Sequence, residues 1–380
     1  MKKVLFVKNI LPPYRVSLFN DLHENSKNKS FEFEVFLMTE MEKGRYWKVN
    51  RDDIKFNYTI DKFGFYRYLF EKYHLYFNLN LIKKVIKEEY TDLILGASWN
   101  NFNIILICIL KRLGVVRSRL SFWTEANYLT VGARKGGFFK SITRRFILNT
   151  CDNKYLIPGK MSSLTLDKWK VNLNNRNEVI FPNLIDYHKY KISSEQVEER
   201  YNKKYIQCLI VARCDEEKKG ILNFIKSIDF SYSNNFNIRI AGDGKDRTKY
   251  ESFVCDNNLN SKVTFLGNLT ESDMLKEYKS ANLFILPSYS DPSPLSIVEA
   301  ARMKLPILIS ERCGNKYETL IHEWNGYIFN PDCKSDICKS FNRFLDLTNE
   351  EKRTMGDNSF SLVDKNYNNK KVLLGLIDIL

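Results

Sequence analysis

Two acidic side chains flank the start of a predicted helix in residues 283–306, which read LFILPSYSDPSPLSIVEAARMKLP. The first four residues are apolar and precede a proline, which is typical of a buried strand. The helix is predicted to follow, with Ser293 as its N-cap and Pro294 at its first position. Its free N–H groups and its dipole favour an anion, and Asp291 and Glu299 can bind hydroxyl groups. The stretch therefore predicts a site for a phosphorylated, polyhydroxy ligand, although acids near a helix start also occur for dipole reasons alone.

Two basic residues follow the first strand of the same half of the chain. Arg213 comes directly after that strand, and Lys219 precedes a predicted helix. Fixed cations at the carboxyl end of a parallel strand suit a departing diphosphate, whose developing charge they would stabilise. The alternative is an ordinary solvated loop, because Glu216 and Glu217 are close in sequence.

Glycines follow the next strand in the triplet Gly242-Asp243-Gly244. Glycine lets a ligand or a neighbouring loop approach closely. The triplet lacks the G-x-G-x-x-G spacing of dinucleotide-binding loops, so a simple turn is the favoured interpretation of this motif taken alone.

The elements that must position these residues alternate between short apolar strands and amphipathic helices. This alternation predicts two α/β domains, each with a parallel sheet wound on both faces. The polar residues 184–204 interrupt the pattern and predict a boundary between domains at 1–190 and 191–380, with the last helix packing back on the first domain. Residues 61–77 are interpreted as a helical hairpin.

The net charge of +14 lies entirely in the first half, where residues 1–190 hold 32 Lys and Arg against 18 Asp and Glu. This half should attract anions, with lipid headgroups, lipid-linked phosphates and nucleic acid as candidates. The apolar runs are too short to span a bilayer, so a soluble or peripheral protein is expected. The cysteines and histidines show no metal-ligand spacing, and neither a zinc site nor a disulfide framework is expected.

Glu125 is the single acid between residues 93 and 151, and it follows a predicted strand at the edge where ligands bind such sheets. It could orient an acceptor hydroxyl or take its proton. The alternative is a structural role as the partner of Arg134 or Arg119.

Basic and aromatic residues alternate along the predicted helix Phe138–Leu148, which Arg134 and Lys135 precede. Such helices can lie in a membrane interface, with Arg144 and Arg145 near anionic lipid. The alternative is a core-facing helix with a solvated basic side.

The second half resembles the family-4 glycosyltransferases of the two-domain GT-B architecture. The resemblance rests on VARCDEEKKG (211–220), IAGDGKD (240–246), VTFLGNL (263–269), LFILPSYSDPSPLSIVEA (283–300) and ISERCGNKYETLIHEWNGYIFNP (309–331). The first half is compatible through PPYR (12–15), KYLIPG (154–159) and VIFPNLID (179–186). The resemblance implies two Rossmann-like domains with parallel sheets that face each other across a cleft.

The resemblance also implies roles for single residues. The basic pair would neutralise the donor diphosphate, and Glu299 would hold the ribose. Asp291 stands where the family usually has glutamate and would contact the donor sugar. The other implied donor contacts are the N–H groups of Leu295 and Ser296, the loop at Leu269 near the base, and Gly242.

The leading hypothesis is therefore a retaining, metal-independent glycosyltransferase without a cofactor. It would move a sugar from a UDP- or GDP-linked donor to a hydroxyl of a lipid-linked glycan in bacterial capsule, O-antigen or exopolysaccharide assembly. The resemblance and the basic half together place it at the cytoplasmic face of the plasma membrane, with no nucleic acid partner. The alternatives are a catalytically silent relative, a basic protein that binds nucleic acid or membrane, and an epimerase or phosphorylase on a similar scaffold.

Overall fold

The computed structural model describes residues 2–26, 31–43, 49–69, 73–99, 101–130, 137–152, 154–171, 176–233 and 235–378. The chain divides into two compact units. The first contains residues 1–128, 135–185 and 369–380, and the second contains residues 129–134 and 186–368. The boundary thus falls at 185/186, where the sequence predicts 190/191, and the last helix belongs to the first unit.

The first unit is built on a parallel sheet with strand order β3-β2-β1-β6-β7-β8-β9. Its strands are β1 (Lys2–Lys8), β2 (Phe31–Leu37), β3 (Tyr58–Ile60), β6 (Asp92–Gly96), β7 (Arg119–Trp123), β8 (Lys154–Ile157) and β9 (Asn177–Ile180), and a separate hairpin contains β4 (Phe65–Leu69) and β5 (Tyr73–Phe77). Its helices are α1 (Pro13–Ser26), α2 (Leu79–Lys87), α3 (Phe102–Arg112), α4 (Phe138–Leu148), α5 (Lys160–Lys168) and the last helix of the chain, Asn369–Ile377.

The second unit is built on a parallel sheet with strand order β12-β11-β10-β13-β14-β15. Its strands are β10 (Ile206–Val211), β11 (Phe236–Ala241), β12 (Val263–Gly267), β13 (Leu283–Leu286), β14 (Ile307–Ser310) and β15 (Gly326–Phe329). Its helices are α6 (Ser194–Tyr201), α7 (Glu216–Lys219), α8 (Ile221–Ser227), α9 (Arg247–Asp256), α10 (Glu271–Ser280), α11 (Leu295–Arg302), α12 (Lys316–Thr319), α13 (Lys334–Leu345) and α14 (Asn349–Asn366). The predicted α/β class with two parallel sheets is confirmed.

The central strands are apolar because helices cover both faces of each sheet, so neither set of alternate side chains meets water. Every residue of β13 is fully buried, and so are the four apolar residues 4–7 of β1. None of the helices in the described part of the chain is long and apolar enough to cross a membrane.

The prediction of a helical hairpin at residues 61–77 is wrong, because β4 and β5 pair as an antiparallel β-hairpin. In the folded hairpin, successive side chains of each strand point to opposite faces. Tyr66 faces Tyr76 across the strands and its hydroxyl lies 2.8 Å from Nδ1 of His74, while Phe65 and Leu75 are exposed. Aromatic side chains pack well on a pleated surface, and this pairing decides the structure.

Each sheet has one point where the chain order reverses. In the first unit the chain builds outward from β1 to β3 and then continues from β6 on the other side of β1. In the second unit it builds outward from β10 to β12 and continues from β13 on the other side of β10. Ligands of open α/β sheets bind beyond the carboxyl ends of the strands at such switch points. The expected sites therefore lie at the ends of β1 and β6 and at the ends of β10 and β13.

Candidate functional site

The loops after β10 and β13 pack directly against each other at the switch point of the second unit. Gly220 ends α7 with a positive φ of 59°. A β-carbon there would lie 2.7 Å from the carbonyl oxygen of Pro287 and 3.0 Å from the ring of Tyr289. Glycine is therefore required both for the left-handed turn and for the close approach of the β13 loop. The turn leaves Lys219, the last residue of α7, beside that loop.

Lys219 forms an ion pair with Asp291, and both side chains are largely buried, with 16% and 13% of their surfaces exposed. The acid close to Lys219 in sequence is engaged elsewhere, because Glu216 accepts from the N–H groups of Leu222 and Asn223 at the start of α8. Lys219 therefore reaches across to another loop instead of pairing with Glu216 beside it in sequence. The structure brings the predicted cation and the predicted acid together.

Backbone hydrogen bonds fix the position of Asp291. Its carbonyl oxygen accepts from the N–H group of Gly314 at 2.8 Å, and the neighbouring Ser290 donates to the carbonyl oxygen of Lys218 at 2.9 Å. The loop is thus held from the β14 side and from α7. A ligand at Asp291 would meet a carboxylate that is already positioned.

Arg213 is exposed, and its guanidinium has no hydrogen bond or ion pair among the described residues. It lies at the same edge of the sheet as Lys219, because both follow β10.

Gly242 packs against the backbone of Ala212, the residue before Arg213. Its φ is 128°, and a β-carbon there would lie 2.1 Å from the carbonyl oxygen of Ala212. That contact explains the glycine, and a role in ligand binding stays a prediction.

Helix α11 begins at Leu295, so the predicted cap is wrong by one position: Pro294 is the N-cap, and no side chain caps this end. The N–H groups of Leu295 and Ser296 have no acceptor in the described part of the chain. Because the first N–H groups of a helix lack intrahelical acceptors, they can donate to an anion. Leu269 lies at the same sheet edge, in the loop between β12 and α10, and is half-buried.

Glu299 points its carboxylate at two tyrosines. The hydroxyl of Tyr278 donates to Oε2 of Glu299 at 2.7 Å, and Tyr190 also donates to this carboxylate. Burial raises the pKa of Glu299, and the two hydrogen bonds oppose that shift. The tyrosines hold the acid in one orientation while leaving it further acceptor capacity. Such a carboxylate can accept hydroxyl groups of a sugar ring.

Glu125 in the first unit is held by Arg15 and Asn183. Its Oε1 accepts from Nη2 of Arg15 at 3.2 Å and from Nδ2 of Asn183 at 2.8 Å. The predicted partner Arg119 pairs instead with Asp92, and the other predicted partner, residue 134, lies outside the described residues. Oε2 of Glu125 has no hydrogen bond among the described residues, so it can still accept an acceptor hydroxyl.

Helix α4 has a buried and an outward face. Ile147 and Leu148 are fully buried, and the guanidinium of Arg144 stacks at 3.8 Å on the ring of Trp169. Arg144 therefore packs against its own unit rather than facing solvent with the exposed Arg145. The outward face carries Phe138, which is 77% exposed, Ile142, which is 48% exposed, and Arg145. The predicted Lys135 lies outside the described residues.

Several residues around these sites were not predicted. Tyr190, Tyr278 and Asn183 give no local signal, because tyrosine and asparagine are common in loops and helices. Arg15 appears only inside the PPYR motif. Lys8 had a signal that was not used: it is a charged residue that ends an otherwise apolar strand. In the described part of the chain, no three His, Cys, Asp or Glu side chains are grouped to hold a metal ion.

Comparison with known families matches residues 191–361 to the family described as glycosyl transferases group 1. The matched region contains every site residue assigned above to the second unit except Tyr190.

Two relatives and one solved structure show the range of similarity. An uncharacterized glycosyltransferase of Methanocaldococcus jannaschii is 24% identical over 353 residues, which covers 92% of this chain and 89% of that protein. The UDP-Gal:alpha-D-GlcNAc-diphosphoundecaprenol alpha-1,3-galactosyltransferase of Escherichia coli is 29% identical over 135 residues, covering 35% of this chain and 31% of that protein. The structure of Anabaena HepE in complex with UDP and glucose superposes with a TM-score of 0.72 at 14% identity, covering 100% and 99% of the two chains.

At that level of identity the superposition shows the fold, which is GT-B. Residues 191–361 therefore match the glycosyl transferases group 1 family, and the chain has the GT-B fold.

Proposed function

We propose that this glycosyltransferase moves a sugar, with retention of anomeric configuration and without a metal ion, from a nucleotide diphosphate sugar to a hydroxyl of a glycan acceptor. The observation that carries the proposal is the cross-loop pair of Lys219 and Asp291 at the switch point of the second unit. At the same sheet edge lie the guanidinium of Arg213, which has no partner among the described residues, and the start of α11, which no described side chain caps.

The arrangement suits a nucleotide diphosphate as leaving group. When the bond from the sugar to the diphosphate breaks, negative charge develops on the diphosphate oxygen. Lys219 and Arg213 supply fixed positive charge there, and the N–H groups of Leu295 and Ser296 supply hydrogen bonds. Because these groups stabilise the developing charge directly, the departure needs no proton donor. Glu299, oriented by its tyrosines, would accept the ribose hydroxyls.

Asp291 would contact the donor sugar while paired with Lys219. Its side chain is one methylene shorter than the glutamate of the family pattern, and Lys219 reaches it nonetheless. The ion pair holds the carboxylate in place, where it can accept sugar hydroxyls. Retention is proposed from the family relationship.

A lipid-linked glycan is proposed as the acceptor, in the assembly of a bacterial surface polysaccharide. The similarity to an enzyme named for a diphosphoundecaprenol-linked sugar supports this choice. The excess of basic residues in the first half supports it as well, since such an acceptor is anionic and membrane-bound.

The outward face of α4 is proposed to lie on an anionic membrane at the cytoplasmic side. Phe138, Ile142 and Arg145 are spaced to share one side of the helix, with exposed apolar groups beside a cation. Flotation with liposomes containing phosphatidylglycerol tests this. We expect Phe138→Ser with Ile142→Ser to reduce flotation, and unchanged flotation would contradict the membrane role. Neutral phosphatidylcholine liposomes are the control.

A panel of UDP-, GDP- and dTDP-sugars tests the donor proposal by thermal shift and by hydrolysis of the bound donor. We expect one nucleotide family to raise the melting temperature and the matching donor to be slowly hydrolysed. The absence of any nucleotide response would contradict the proposal. Binding without turnover on any acceptor would instead favour a catalytically silent relative.

A further inference from the structure

The switch point of the first unit holds a buried lysine. Lys8 is the last residue of β1, and its register partner on the neighbouring strand is Gly96, the last residue of β6. These are the strands between which the chain order reverses. The lysine therefore occupies, in the first unit, the kind of position where open α/β sheets bind their ligands.

Lys8 is only 3% exposed, and its ammonium has no hydrogen bond or ion pair among the described residues. Its contact is with the ring of Trp123, whose centroid lies 3.6 Å from Nζ. A cation–π contact restores only part of the hydration that a buried ammonium loses. Since most of the side chain is buried, an anion that paired with the ammonium would replace hydration that the fold removes.

The space for the lysine depends on Gly96. A β-carbon at that position would lie 2.3 Å from Nζ of Lys8 and 2.7 Å from its Cδ. The glycine thus lets the lysine side chain lie across the end of β6. Any larger residue would displace the ammonium.

A second cation with an unsatisfied donor lies beside Lys8. The guanidinium of Arg15 packs at 4.5 Å on the same Trp123 ring, and its Nε is buried without a hydrogen-bond partner. Its Nη2 donates to Glu125. The buried Oδ1 of Asn9 also lacks a partner. Two basic side chains thus pack on one tryptophan ring, and one of them also contacts Glu125.

We propose that Lys8 and Arg15 form an anion subsite that binds a carboxylate or phosphate group of the acceptor, while Glu125 accepts a neighbouring acceptor hydroxyl. The inference rests on the proposed glycosyl transfer and adds the chemical class of its acceptor. Two donors on fixed cations match the oxygens of such a group, and Oε2 of Glu125 has the capacity for the hydroxyl.

The charge state of Lys8 gives this subsite a further property. Burial and the adjacent Arg15 lower the pKa of Lys8 well below its usual value, and Glu125 opposes that shift. An anion that binds at the ammonium favours the protonated form, so binding should take up a proton. The charged groups that face Lys8 in the described structure are Arg15 of α1 and Glu125 after β7.

The test is isothermal titration of the full chain with methyl α-D-glucuronide, α-D-glucose 1-phosphate and neutral methyl α-D-glucoside. UDP, GDP and dTDP are all present at saturating concentration so that the second unit's anion site is occupied. We expect at least one anionic probe to bind at least tenfold more tightly than the glucoside. Glucuronide alone would identify an acidic sugar, and glucose 1-phosphate alone a phosphorylated acceptor, and both results support the subsite.

Matched variants assign the binding to this cluster. Lys8→Met should weaken binding of the anionic probe at least tenfold. Gly96→Ala should also weaken that binding, because it displaces the ammonium without removing it. Lys2→Met, at the exposed start of the same strand, should leave the affinity unchanged. Titrations in Tris and HEPES at one pH should show proton uptake that Lys8→Met abolishes.

Equal affinity for charged and neutral probes would overturn the inference, and so would full anion affinity or undiminished proton uptake in Lys8→Met. Binding of UDP, GDP and dTDP is measured separately with the same protein before the probes are added. If one of them binds and the anions do not, the donor proposal stands and the acceptor inference fails. If Lys8-dependent anion binding occurs and none of the three binds, the subsite stands and the donor proposal fails.

Discussion

Each unit buries a basic side chain, but among the described residues only the one in the second unit has hydrogen-bond acceptors. Arg200 of α6 is 1% exposed, and its guanidinium donates to the carbonyl oxygens of Tyr278, Lys279, Met303 and Lys304 at 2.8–3.1 Å. Lys8 of β1 is 3% exposed, and its ammonium donates to no described residue.

If Lys8 binds an anion as proposed, the difference is that between a structural cation and a ligand-binding one. The acceptors of Arg200 lie at the carboxyl ends of α10 and α11, where the helix dipole and the unpaired carbonyl oxygens favour a cation. Arg200 therefore fixes the helices that carry Tyr278 and Glu299. Lys8 has no such acceptors, so its burial is explained by a missing ligand better than by stability.

Replacing Arg200 by methionine should produce the largest loss of stability. Several buried carbonyl oxygens would lose their donor, and leaving one such group unsatisfied costs about 1–3 kcal/mol. We expect the free energy of unfolding to fall by about 3 kcal/mol or more, measured by urea unfolding. Lys203→Met, an exposed neighbour on the same segment, should change it little. A loss as small as the control's would remove the distinction between the two cations.

Replacing Lys219 by methionine should affect catalysis rather than stability. Loss of one group that stabilises a developing charge typically lowers kcat about 10²–10³-fold. The measurement is donor hydrolysis or transfer under saturating donor, with Lys219→Arg as a charge-preserving variant. Lys218→Met is the matched control, because Lys218 is half-exposed and pairs with Asp215 outside the site. Activity within tenfold of the parent would contradict the role given to Lys219.

Replacing Lys8 by methionine should raise stability in a pH-dependent way. Since the pKa of Lys8 in the folded state lies well below the 10.5 of a free lysine, the unfolded chain binds a proton that the folded protein releases. Parent stability should therefore rise with pH between those two values, with a slope up to about 1.4 kcal/mol per pH unit. Lys8→Met removes this slope, so its advantage is largest at low pH and disappears near pH 10.5.

Urea unfolding of the parent and of Lys8→Met between pH 7 and 10 measures this difference. Lys2→Met should keep the parental slope. Parallel stability curves for the parent and Lys8→Met would show that Lys8 is charged and hydrogen-bonded in the folded protein. Lys8 would then be a structural cation, as Arg200 is.

Replacing Glu299 by glutamine should have the smallest effect, a loss of UDP affinity of about tenfold, because one charge-assisted hydrogen bond becomes neutral. Burial raises the pKa of Glu299 above the 4.5 of a free glutamate. Parent affinity should therefore weaken as the pH falls towards that raised value, because protonation removes a hydroxyl acceptor. Titration calorimetry from pH 5 to 8 measures both effects, with Glu350→Gln as the exposed control. A flat pH profile would exclude a direct contact.

Much of the fold follows from local sequence. The apolar strands before Arg213, Gly242, Leu269 and Asp291 are visible because both faces of a parallel sheet are covered, so these strands are continuous apolar runs. The hairpin of β4 and β5 is not visible in this way. Its aromatic residues fit a helix or a strand equally well, and only the partner strand decides between them.

The site was predictable to the extent that its residues follow strands. A residue that comes directly after a parallel strand must lie at the carboxyl edge of the sheet, whatever the distant chain does. What Lys219 pairs with was not predictable, because Asp291 and the nearby Glu216 offer the same charge. In the structure Lys219 pairs with Asp291, because the turn at Gly220 lets the β13 loop pack closely against the end of α7.

The sequence by itself determines the two α/β halves, the uneven charge, and the set of groups at the edge of the second sheet. These follow from local apolar pattern and from chain order, which need no knowledge of distant contacts. Only the tertiary structure decides that the guanidinium of Arg200 has hydrogen-bond acceptors and that the ammonium of Lys8 has none among the residues it describes. Both are basic residues within mixed local sequence, and the difference arises from which backbone and side-chain atoms the fold brings around each cation.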